Sequence, residues 1–123
     1  MADLAQEGMD RVIASFRAHH PDADTSILND AFELARDRHQ GQMRQTGDPY
    51  ITHPVAVTEI LADYGLDVET LCAALLHDTV EDTDLTLEQV TEVFGNSVAA
   101  LIDGVTKLDL IKFGSREEAQ AAT

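Results

Sequence analysis

The segment 71–83, Leu-Cys-Ala-Ala-Leu-Leu-His-Asp-Thr-Val-Glu-Asp-Thr, drives an apolar run straight into His77-Asp78 and then into Glu81-Asp82. Residues four apart share one face of a helix, so His77 lies above Glu81 and Asp78 above Asp82. One turn then offers an imidazole and three carboxylates to one small volume beside an apolar stripe. Burying that much polarity is costly unless something compensates it. A divalent cation does so, because it takes neutral imidazole and carboxylate together and cancels their like-charge repulsion. The plainer alternative is a solvated C-terminal turn. Acids at that end oppose the helix dipole, which makes it a poor place for incidental Asp and Glu.

The rest of the chain bounds what can surround this segment. Its 123 residues suffice for one domain with a modest core. Aromatics are few and Trp is absent, so that core is aliphatic. A net charge of −15 argues against a nucleic-acid surface, which needs a basic face, and against binding to anionic membranes. An anionic substrate stays open, since a bound cation would set the local field. The single cysteine, Cys72, allows no internal disulfide and sits in an apolar helical run as a small core residue. No signal segment opens the chain, and no apolar run approaches the roughly 18 residues of a membrane span. A soluble cytoplasmic protein is the expectation.

Read in order, the chain is a series of helices. Residues 4–18 carry Leu4, Met9, Val12, Ile13 and Phe16 on one face, and His19-His20-Pro21 ends them. The two imidazoles are expected to be solvated at a helix C-terminus. Thr25 or Ser26 caps a second helix that runs to about His39, with Ile27, Leu28, Ala31, Phe32, Leu34 and Ala35 inward. Gly41 and Thr46-Gly47-Asp48-Pro49 then mark a loop that holds Arg44, Tyr50 and His53 within ten residues. Each has a structural reading: Arg44 as a surface cation, Tyr50 as a lid on the core, His39 as a helix C-cap.

His53-Pro54 starts a third helix with Val55, Val57, Ile60, Leu61 and Tyr64 as its core face, and Gly65 stops it. Asp67 opens a fourth, which turns Leu71, Cys72, Leu75 and Leu76 inward and carries the polar cluster. Thr86 and Gln89 form a capping box ahead of a fifth, with Leu87, Val90, Val93 and Phe94 on one face. Asn96 or Ser97 caps a sixth with Val98, Leu101, Ile102, Val105 and Leu108, and Ser115 with Glu118 opens a last one. No useful strand alternation, repeat or Gly-rich phosphate loop interrupts the pattern. The expectation is one all-α domain.

Several separated motifs in this order resemble a known family. They are Arg38-His39-Gln40-Gly41-Gln42-Met43-Arg44, Gly47-Asp48-Pro49-Tyr50-Ile51-Thr52-His53-Pro54, the stretch Ala73 to Thr83, Phe94-Gly95-Asn96-Ser97-Val98, and Asp103-Gly104-Val105-Thr106-Lys107-Leu108. Over roughly residues 25–120 the chain is similar to the N-terminal HD domain of the RelA/SpoT homologues. Those enzymes make and degrade the alarmone (p)ppGpp. The block from Val105 to Gln120 looks more like the long bifunctional type than the small stand-alone hydrolases.

The resemblance implies an HD-domain helical bundle of about six to seven helices and a (p)ppGpp 3′-pyrophosphohydrolase that uses Mn²⁺. Its products would be GDP or GTP and pyrophosphate. It matches His53, His77 and Asp78 to metal ligands, and Glu81 and Asp82 to the acidic pair that handles the attacking water. It matches Arg44, with Gln45 and Thr46, to the loop beside the guanosine, and makes His39 a supporting residue. Two departures stand out. The family often has Lys at the position of Gln45. It also carries a further Asp ligand on a later helix near an Asp-Arg-Leu-His-Asn sequence, which this chain lacks.

Residues 1–123 are therefore expected to be a C-terminally truncated part of the hydrolase domain of a longer protein. Metal binding is expected to be weak, with little or no hydrolysis by this chain alone. Apolar helix faces left exposed would favour dimerisation or swapping of the terminal helix. The alternative function is a catalytically silent nucleotide-binding or regulatory module. An HD phosphohydrolase for other nucleotides and a plain helical scaffold are further readings.

Overall fold

The computed structural model describes residues 3–43 and 47–113, with residues 106–113 described for their helical backbone alone. Six helices follow one another: α1 (Leu4–His19), α2 (Ser26–Arg38), α3 (Thr52–Asp63), α4 (Val68–Asp82), α5 (Leu87–Phe94) and α6 (Asn96–Phe113). Among the described residues the one β feature is an isolated antiparallel bridge between Met43 and Pro49. The fold is all-α, and no described helix is long and apolar enough to cross a membrane. The helix expected from Ser115, and the side chain of Leu108, lie outside what is described.

Helix α4 is the centre of the bundle. It packs against α2, α3 and α6, while α1 lies on α3 and α5 on α6. Leu71, Cys72, Leu75 and Leu76 are fully buried, as their spacing predicts. Burying each leucine contributes roughly 1.5–3 kcal/mol. The Asp67 carboxylate accepts the Thr70 amide at 2.9 Å and fixes the start of the helix. That bond holds the Asp67 carboxyl below its ordinary range.

The other caps follow the sequence with three exceptions, one being that α6 already begins at Asn96, so Gly95 rather than Asn96 or Ser97 precedes its first turn. Thr86 and Gln89 form the reciprocal capping box. At α2, Thr25 occupies the cap position but its hydroxyl makes no capping bond, and Asp24 instead accepts the Ser26 amide at 2.9 Å. At α3 the helix begins one residue before His53, so Pro54 is its third residue rather than its first. An amide there has no intrahelical partner, and proline costs nothing.

Helix α3 corrects the expected core face. Val55 is buried, but Val57, Ile60 and Tyr64 are exposed, Tyr64 to 78%. The buried stripe is instead Pro54, Val55, Thr58 and Ala62. Thr58 can lie inside because its hydroxyl donates to the Pro54 carbonyl at 2.7 Å. Gly8 of α1 selects this rotation: a Cβ there would stand 2.7 Å from Val55 Cγ1, so the two helices meet backbone to side chain. Val93, Leu101 and Val105 are likewise exposed rather than inward.

Of the His pair ending α1, His19 is exposed as expected and His20 is not. His20 is half-buried against the Phe16 ring at 4.8 Å, and its Nε2 lies 3.2 Å from the Gly65 carbonyl. His19 Nε2 lies 3.2 Å from the Asp63 carbonyl. The imidazoles therefore tie α1 to the end of α3. Gly65 adopts φ 81°, which favours glycine, and a Cβ there would press on the His19 ring at 3.1 Å.

Candidate metal centre

The last two turns of α4 bring His77, Asp78 and Glu81 together. One ligand atom from each lies within 4.8 Å of the others. His77 Nδ1 is 3.5 Å from Asp78 Oδ1, and His77 Nε2 is 3.5 Å from Glu81 Oε2. All three side chains are about four-fifths buried. The apolar residues of α4 pull the helix into the core, and its end carries these groups with it.

His53 enters from the first turn of α3. Its Nε2 lies 3.8 Å from Asp78 Oδ2, so residues 25 positions apart along the chain meet across the α3–α4 contact. Burial pushes the Asp78 carboxyl up, but the bond and charge of His77, the charge of His53 and the Tyr50 hydroxyl outweigh it. The carboxyl stays below its ordinary range and ionised at neutral pH.

The sequence-predicted site residues are thus placed unequally. His53, His77, Asp78 and Glu81 converge. Asp82 ends α4 exposed to solvent and does not join the group of three. Arg44, Gln45 and Thr46 lie outside the described residues. Their loop is closed at its base by the Tyr50 amide, which donates to the Gln42 carbonyl at 2.9 Å.

Tyr50 and Thr79 take part in ways the sequence did not single out, and His39 lies beside them. The Tyr50 hydroxyl donates to Asp78 Oδ2 at 3.3 Å rather than merely covering the core. His39 is buried, with Nδ1 3.0 Å from Gln42 Oε1 and Nε2 3.1 Å from the Thr79 hydroxyl. Thr79 is fully buried and lies next to the cluster in sequence. The signal available for Tyr50 was its place in a loop that enters α3 just before His53.

Beside the cluster, α3, α4 and α6 enclose a largely apolar cavity of about 380 Å³. Val57 and Leu61 wall one side, Leu101 and Val105 the other, and His53, His77 and Asp78 border it. A polar cluster beside an apolar recess suits a ligand that is charged at one end and flat or apolar at the other.

The HD domain family matches residues 31–123. This chain belongs to the HD domain family. The HD domain here is 53% identical over 112 residues to a probable GTP pyrophosphokinase of Mycobacterium leprae, covering 91% of the chain and 14% of that protein. It is 54% identical over 101 residues to the bifunctional (p)ppGpp synthase/hydrolase SpoT of Escherichia coli, covering 82% of the chain and 14% of that protein. It is 60% identical over 87 residues to a guanosine-3′,5′-bis(diphosphate) 3′-pyrophosphohydrolase of Haemophilus influenzae, covering 71% of the chain and 13% of that protein. The HD domain therefore spans about one seventh of the length of these relatives.

Proposed function

We propose that this HD domain contributes the metal-binding part of a cytoplasmic (p)ppGpp 3′-pyrophosphohydrolase, as in the RelA/SpoT homologues it resembles. The observation that carries the reading is the convergence of His77, Asp78 and Glu81, joined by His53, beside a ligand-sized recess. The functions of the relatives support the substrate.

The donor set fits a divalent cation. Imidazole and carboxylate together suit Mn²⁺, and an ionised Asp78 presents the charge such an ion needs. In this reading His53, His77 and Asp78 hold the ion. A bound Mn²⁺ supplies Lewis-acid polarisation of phosphate oxygens and offsets the charge that develops on them.

The chain's own groups do the rest. Glu81, the third member of the cluster, accepts a proton from the attacking water, with the exposed Asp82 next to it in the chain. The water oxygen bonds to the phosphorus on the ribose 3′ oxygen. That P–O bond breaks, the ribose oxygen takes a proton, and pyrophosphate leaves. Arg44, Gln45 and Thr46 contact the guanosine from the loop before α3.

The test is to incubate the chain with Mn²⁺ and ppGpp and resolve the products. GDP and pyrophosphate in equal amounts, formed slowly and lost in Asp78→Ala, are expected. Consumption of other nucleotides while ppGpp stays intact would contradict the substrate.

A further inference from the structure

The Tyr50 side chain is held on three sides. Its ring centroid lies 4.8 Å from that of His39 and 5.9 Å from that of His53, and its hydroxyl reaches Asp78 Oδ2. His39 is in turn fixed by Gln42 and Thr79, on either side of its own ring. The Tyr50 amide is tied to Gln42. The tyrosine thus bridges α2, the loop and α4 at the one carboxylate shared by both histidines of the cluster.

A carboxylate that must hold an ion through one oxygen gains from a donor on the other. The donor removes a rotational choice and keeps the ligand ionised, and loss of such outer partners weakens metal affinity about 10–100-fold. In Asp78, Oδ2 takes the Tyr50 hydroxyl and lies 3.8 Å from His53 Nε2, while Oδ1 lies 3.5 Å from His77 Nδ1. We infer that Tyr50 is a positioning residue that orients Asp78 for a divalent cation and, through ring contact, aligns His53 beside it. The inference rests on the metal-site reading given above.

The experiment compares Tyr50→Phe with the unaltered chain, by calorimetric titration with Mn²⁺ alone and by thermal melting of the metal-free proteins. Phenylalanine keeps the ring between His39 and His53 and removes only the hydroxyl. The expected result is an affinity lowered by about tenfold, at the weak end of the range for such partners, with an unchanged metal-free melting temperature. Tyr50→Leu, which also removes the ring contacts, should lower affinity further. An unchanged affinity in Tyr50→Phe overturns the inference while leaving the site intact, as does a loss that merely parallels a fall in melting temperature. Asp78→Asn serves as the control for the site itself. If that variant binds Mn²⁺ as well as the unaltered chain, the metal-site reading falls, and the role of Tyr50 with it.

Discussion

Nε2 of His77 lies 3.5 Å from Oε2 of Glu81, one turn further along α4, and both side chains are largely withdrawn from water. Asp82, the next residue, is exposed. The two acids are therefore not equivalent. Glu81→Gln should weaken Mn²⁺ binding by about tenfold or more, as loss of a close polar partner of a metal site does. Asp82→Asn should leave it within about twofold, because an exposed charge is screened. Parallel calorimetric titrations check this, and equal losses would contradict the unequal placement.

The contact of Gly8 with Val55 makes a sharper prediction about the fold. Gly8→Ala gains about 1 kcal/mol of helix propensity. It also places a methyl 2.7 Å from Val55 Cγ1, and overpacking of that kind costs roughly 1–3 kcal/mol. The net expectation is destabilisation. Val55→Ala should cost less in the Gly8→Ala background than alone, because it relieves the clash. Urea denaturation of the four proteins measures the coupling.

Thr58 tests why a polar residue occupies the core face of α3. Its hydroxyl is satisfied within its own helix and needs no partner elsewhere. Thr58→Val should therefore change stability by no more than about 1 kcal/mol, since it removes a donor without stranding the Pro54 carbonyl. Thr58→Asp, which buries a carboxylate at the same place, should prevent folding. Denaturant melts of both variants distinguish these outcomes.

Cys72 carries a pH dependence. Burial, with the charges of Glu69 and Asp30 adding to it, pushes its thiol up to about 12. The thiol of an unfolded chain ionises near 8.5. Above that pH the unfolded state has released a proton that the folded state keeps, so stability falls as pH rises, by about 1.4 kcal/mol per unit. Between pH 8.5 and 10 the expected loss is about 1.6 kcal/mol, because half of the unfolded thiols are still protonated at pH 8.5. Cys72→Ala should flatten that part of the profile, and the native thiol should react slowly with a disulfide reagent at pH 8.

Much of this molecule was legible in its sequence because α4 states both of its roles at once. Leu71, Cys72, Leu75 and Leu76 fix which side of the helix is buried, and that fixes where His77, Asp78 and Glu81 emerge. The meeting of His53 with Asp78 depends instead on how α3 is rotated. The apolar residues Val57, Ile60 and Tyr64 point to a different rotation, yet all three are exposed. A helix apolar on several sides does not reveal its buried stripe by hydropathy; the deciding feature is a glycine on another helix. The hydroxyl of Tyr50 on Asp78 joins residues 28 positions apart, and no local pattern encodes such a contact.

The central claim is that the end of α4 and the start of α3 hold a divalent cation. The most direct measurement is isothermal titration of the metal-stripped chain with Mn²⁺, repeated with His77→Ala. The account predicts one saturable site per chain in the unaltered protein and its loss in the variant. Equal binding by both proteins, or none by the unaltered chain, would contradict it.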